Sequence, residues 1–88
     1  MEHLAFHSFG TRHVQVVNFR QSIEATEREP LTPQQRFLRE RNLLRALSQE
    51  LGTSMHLDAH GILIVRGRFI EPVLRKAIKL AFAQLTDN

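Results

Sequence analysis

Glu50 to Phe69, ELGTSMHLDAHGILIVRGRF, is the stretch that decides the fold. Leu51-Gly52 closes a helix, with Gly52 just past its end, where the backbone needs positive φ and glycine adopts it without steric cost. Thr53 and Ser54 carry the chain into a short extended run. Ala59-His60-Gly61 makes a turn, and Ile62 to Val65 returns as an apolar strand ending in Arg66-Gly67-Arg68-Phe69. A helix end, a hairpin and a basic strand terminus therefore follow one another within twenty residues.

Working outward, a second hairpin is predicted upstream. Leu4 to Phe9, then Gly10-Thr11, then His13 to Val17 alternates as strands do, with glycine at the turn. Asn18 reads as an N-cap for a short helix over Phe19 to Arg28, which Glu29-Pro30 breaks. Thr32-Pro33-Gln34-Gln35 opens the best-defined helix through a T-x-x-Q capping box with proline at the first helical position. That helix should run to Leu51, about 27 Å. Phe37, Leu44, Leu47 and Leu51 form its seam, with Leu38 and Leu43 beside it and Arg36, Arg39, Glu40 and Gln49 opposite. The last helix begins at Pro72 and presents Val73, Leu74, Ala77, Ile78, Ala81, Phe82 and Leu85 as its apolar stripe. Phe6, Phe37, Phe69 and Phe82 read as core residues, and Phe9 and Phe19 as bordering turns and partly exposed. The expected class is α+β: two hairpins in one antiparallel sheet, with about three helices on one face.

The ordered set Val17, Asn18, Phe19, Ile23, Pro30, Leu43, Leu44, Leu47, Glu50, Leu51, Gly52, Thr53, Ser54, Asp58, Leu63, Gly67, Arg68 and Phe69 resembles the α/β core domain of the beta subunit of archaeal and eukaryotic translation initiation factor two. The resemblance spans roughly residues 4–85, nearly the whole chain. It implies a non-catalytic module that binds RNA, ribosomal or transfer, or a ribosomal subunit or initiation-factor proteins, or both. Without an apolar span or a signal-peptide pattern the expected compartment is the cytoplasm, with an organelle as the alternative. Three departures qualify it. Leu31 to Arg41 has no counterpart in the family, Met55 stands where the family has glycine, and the zinc ribbon that follows the family's core is not expected here.

Composition agrees with one small domain over residues 1–88. The chain is 42% hydrophobic and 24% charged, ordinary for a globular fold. Cysteine is absent, so neither disulfides nor a thiolate zinc site can form. No apolar run approaches the ~20 residues that span a membrane. The net charge of +3 is uneven: residues 1–30 carry −1 and residues 31–85 carry +5. Arg66 and Arg68 lie two apart on a strand and share a face. With Arg75, Lys76 and Lys79 on the following helix they are the candidate phosphate-binding set. A solvated strand end and helix face would carry the same residues. Arg36, Arg39, Arg41 and Arg45 form an accessory basic surface, in which Arg36 is placed to pair with Glu40.

Catalysis finds no support. There is no Cys nucleophile, no Gly-x-Ser-x-Gly elbow and no phosphate loop, and the acidic residues are scattered. No small-molecule substrate or cofactor is expected. Metal binding is not expected either. His3 and His7 stand about 13 Å apart along one strand, and His56, Asp58 and His60 make a thin donor set. The runner-up functions are a winged-helix DNA-binding regulator, in which the second hairpin is the wing, and a structural adaptor subunit of a larger complex.

Overall fold

The computed structural model describes residues 3–86. Strand β1 (Phe6–Ser8) and strand β2 (His13–Val16) form the first hairpin. Helix α1 (Phe19–Glu24) and helix α2 (Pro33–Leu51) follow. Strands β3 (Ser54–Leu57) and β4 (Leu63–Arg66) form the second hairpin, and helix α3 (Glu71–Thr86) ends the fold. The two hairpins join through β2 and β4 into one antiparallel sheet of order β1-β2-β4-β3. The expected α+β class is the observed one.

Period-two alternation sorts the sheet into two faces. Val14, Val16, Leu63 and Val65 point to one side and are fully buried. Phe19 and Ile23 of α1, Leu47 of α2, and Leu74 and Ile78 of α3 close over them as a single core. The other face carries His7, His13, Gln15, Ser54, His56, Ile64 and Arg66, none of them buried.

The capping box of α2 forms as the sequence requires. Thr32 Oγ1 accepts from Gln35 N at 3.1 Å, and Gln35 Oε1 accepts from Thr32 N at 2.9 Å. Gly52 ends α2 in the left-handed region at φ 65°, its N–H bonded to Ser48 O. The β3–β4 turn is tighter still. Asp58 O accepts from Gly61 N and Asp58 N donates to Ile62 O, a three-residue loop whose left-handed position is Gly61 at φ 79°. Asp58 Oδ1 also accepts from His60 N and Ile62 N. These bonds hold its carboxyl below the usual carboxylate range, the Ile62 amide contributing most.

Several details differ from the sequence reading. Asn18 does not cap α1 with its side chain. Its Oδ1 accepts from Ala5 N and its Nδ2 donates to His3 O, so the amide pins the N-terminal strand. Helix α1 ends at Glu24 instead of reaching Arg28, because Thr26 and Glu27 turn back on Ile23 O and Glu24 O in a tight last turn. Phe19 is buried, not turn-exposed, and Phe37 is exposed, not core. The first turns of α2 bury nothing, and only from Glu40 onward does the helix meet the core. Glu40 itself is buried and accepts from Arg20 Nε at 2.8 Å; Arg36 does not reach it. In α3, Leu74 and Ile78 take the centre of the apolar face, leaving Val73 more than half exposed.

The two turn glycines differ in what a side chain would meet. A Cβ at Gly52 would touch nothing within 4 Å, whereas one at Gly61 would sit 2.8 Å from Arg20 Cβ. Gly52→Ala therefore costs only the left-handed strain, about 1 kcal/mol. Gly61→Ala adds a collision with α1 and is expected to destabilise by clearly more, about 2–3 kcal/mol. Urea midpoints of the two variants measure the order, and equal losses would show that the close packing of Arg20 on the turn contributes nothing.

Candidate nucleic-acid interface

The register of β2 on β4 decides which cations meet. His13 lies opposite Arg66. Just outside the ladder, Gly67 N donates to Arg12 O at 3.2 Å. The first-hairpin turn, whose Phe9 N donates to His13 O at 2.7 Å, thus abuts the end of β4. Arg12, Arg66 and Arg68 are brought to one end of the sheet, all exposed. Arg66 belongs to the helix-free face.

The α3 cations sit on the other side of the same region. Arg75 Nη2 donates to Glu71 Oε1 at 2.9 Å and to Ser8 Oγ at 3.3 Å. Its guanidinium lies 5.1 Å above the Phe6 ring, and Lys79 Nζ lies 5.7 Å from the same ring. This is cation–π geometry on both counts. Ser8 Oγ also donates to Glu71. The Ser8 hydroxyl first, then Arg75, holds the Glu71 carboxyl below the usual carboxylate range. Arg75 is thus paired with the Glu71 carboxylate, while Lys76 is exposed on the next helical position. The five expected residues do not make one flat surface. They ring one end of the sheet, Arg66 on the helix-free side and Arg75 with Lys79 on the helix side. Over residues 9–13 and 66–79 six lysines and arginines face one carboxylate, Glu71.

Arg12 is the member that sequence reasoning missed. It precedes β2 by one residue, and only the pairing of β2 with β4 brings it beside Arg66 and Arg68. No local pattern signals that neighbour.

The accessory set divides in two. Arg36 forks onto Glu27, Nε and Nη2 each 2.9 Å from a carboxylate oxygen. Arg39 Nη2 donates to Thr26 Oγ1 at 3.2 Å. Both tie α2 to the loop after α1. Arg41 and Arg45, by contrast, line an open groove with Phe37, Leu44, Met55 and Leu57 between α2 and β3. Among the described residues, no group of three or more His, Asp, Glu or Cys is placed to hold a metal ion. None of their helices is long and apolar enough to cross a membrane.

No protein-family model matches this chain, and no curated protein matches it.

The Glu27–Arg36 fork has a pH signature. The hydrogen bond from Arg36 is the main reason the Glu27 carboxyl lies below its ordinary value. A depressed folded pKa stabilises above the unfolded value, and that stability is lost as pH falls through the folded one. The thermal midpoint should hold steady from neutral pH to about 5 and drop below about 4. In Glu27→Gln the neutral-pH midpoint is expected to be lower and the acid decline shallower. Parallel acid limbs in the two proteins would remove the fork from the account.

Proposed function

We propose that this chain is a non-catalytic RNA- or ribosome-binding module related to translation initiation, working in the cytoplasm on ribosomal or transfer RNA. The observation that carries the reading is the hydrogen bond from Gly67 N to Arg12 O, which sets the Arg12 backbone beside the end of β4, where Arg66 and Arg68 stand. Three guanidiniums at the end of two strands, with Lys76 and Lys79 on the adjoining helix, suit phosphates spaced along a folded nucleic acid. The resemblance to the initiation factor two beta core supports RNA over other polyanions, and that resemblance is part of the proposal.

A winged-helix DNA regulator is the weaker alternative. In such a regulator the hairpin after the recognition helix projects as a wing. Here the loop of the second hairpin is only Ala59 to Gly61 and packs against Arg20, so it does not project from the sheet as a wing.

Binding of a short structured RNA across a salt series tests the reading. Each phosphate contact adds about 0.7–0.9 to the slope of log affinity on log salt. Replacing Arg12, Arg66 and Arg68 together with Ala should lower that slope by about two to three. Replacing Arg41 and Arg45, away from the rim, should leave it unchanged. A triple variant with wild-type slope overturns the assignment, and tighter binding to duplex DNA than to RNA favours the regulator.

A further inference from the structure

The groove between α2 and β3 is open, about 420 Å³, and has no part in the rim just described. Its floor is apolar, from Phe37, Leu44, Met55 and Leu57, and Arg41 and Arg45 stand one helical turn apart along it. One wall is the edge of the sheet, since β3 pairs only with β4. We propose that this groove takes an extended acidic segment of a partner protein, which adds to β3 as a fifth strand.

Main-chain geometry comes first. Asp58 and Ile62 form a hydrogen-bonded pair at the turn. Hydrogen-bonded and non-hydrogen-bonded pairs alternate along an antiparallel ladder. With Leu57 opposite Leu63 and His56 opposite Ile64, His56 directs its main chain at β4. Met55 and Leu57 direct theirs outward, each offering one N–H and one C=O. Their side chains are partly buried on the helix side, so the groove floor and the free strand edge belong to the same two residues. An edge of this kind is a template for another chain unless charge or proline blunts it, and Ser-Met-His-Leu contains neither Lys nor Pro. The opposite edge differs: β1 is three residues long, and Arg75 and Lys79 sit over its Phe6.

Charge selects the occupant. Arg41 and Arg45 are exposed and make no ion pair among the described residues. The one carboxylate lining the groove, Glu40, is already held by Arg20. A strand laid beside β3 presents every second side chain to α2. Apolar side chains there meet Phe37 and Leu44, and acidic ones meet Arg41 and Arg45. A second copy of this chain is a poor occupant, because pairing β3 with itself gathers two sets of these arginines without carboxylates. Strand addition gives affinity through main-chain bonds and selectivity through alternate side chains.

Fluorescence anisotropy with a short labelled peptide of repeating Val-Ser-Glu-Ser, whose every second residue is by turns apolar and acidic, tests this on the intact protein. The peptide is expected to bind, and its Val-Ser-Lys-Ser counterpart is not. Methylating alternate backbone nitrogens of the acidic peptide, on the face that meets β3, should weaken binding about tenfold or more, since each lost bond removes roughly that factor or less. The protein is unchanged in that arm, so misfolding cannot explain a loss. Arg41→Glu with Arg45→Glu should weaken binding by a further factor of about ten per charge. Amide resonances of Met55 and Leu57 should shift on titration. Failure of the acidic peptide to bind, or equal binding of the lysine or N-methyl peptides, overturns the proposal. So does a dimer that excludes the peptide, which gives the groove to a second copy, or displacement of the peptide by RNA, which gives it to nucleic acid. The Arg12, Arg66 and Arg68 variant should bind the peptide normally, so this result is independent of the RNA reading.

Discussion

Four residues of β2 paired with four of β4 make two local hairpins into one sheet. Each hairpin alone is a two-stranded ribbon, which is marginal in water. Joined, they set Val14 beside Val65 and Val16 beside Leu63, all four at full burial. That patch is the floor on which Phe19, Ile23, Leu47, Leu74 and Ile78 assemble. The same pairing leaves β1 and β3 as the two edges and draws Arg12 to the end of β4. Shifting β2 by one residue along β4 would turn Val14 and Val16 to solvent and bring His13 and Gln15 under the helices. The alternation of buried valines with histidine, glutamine and arginine therefore specifies the register.

Arg20 fixes the helices to this sheet. Its N–H donates to Gly61 O at 3.1 Å, and its Nε bonds buried Glu40 at 2.8 Å. One residue of a six-residue helix thus contacts the β3–β4 turn and the middle of α2. A helix as short as α1 has little intrinsic stability, and its place depends on such tertiary anchors and on the burial of Phe19 and Ile23. Ser22, fully buried between them, adds the small volume that lets α1 lie close. The first turns of α2, which bury nothing, are held by Arg36 on Glu27 and Arg39 on Thr26. The segment Leu31–Arg41 is held by its capping box at one end and by these side chains along its length.

What was legible in the sequence is what local chemistry determines. The capping box at Thr32, the left-handed Gly52, the glycine turn at Gly61 and the alternation in the first hairpin each rest on residues within a few positions of one another. Errors arose where a distant neighbour decides. Asn18 has good capping chemistry, yet Ala5 and His3 lie close enough to take its amide. Phe37 fits the heptad-like seam of α2, but the sheet does not extend beneath it. Glu40 read as a solvent residue because Arg20, its partner, is twenty positions away. Within the candidate interface, Arg66, Arg68 and the α3 cations were visible as charge near a strand end. Arg12 was not, since its place depends on which strand of the second hairpin lies beside β2.

The sheet also separates two surfaces of the same charge sign. At the Arg12–Arg66–Arg68 end the cations stand on strand termini and a turn. A ligand there gains mainly from ionic contacts, so its affinity is tied to released counterions and hence to salt. At the β3 groove Arg41 and Arg45 stand over Phe37, Leu44, Met55 and Leu57, and a ligand also removes apolar area from water and pairs its main chain. Those gains are insensitive to moderate salt. Phosphates cannot use the apolar floor or the strand edge, and an extended acidic peptide finds neither at the rim. Two basic surfaces on one small sheet are thereby distinguished by what lies between their charges.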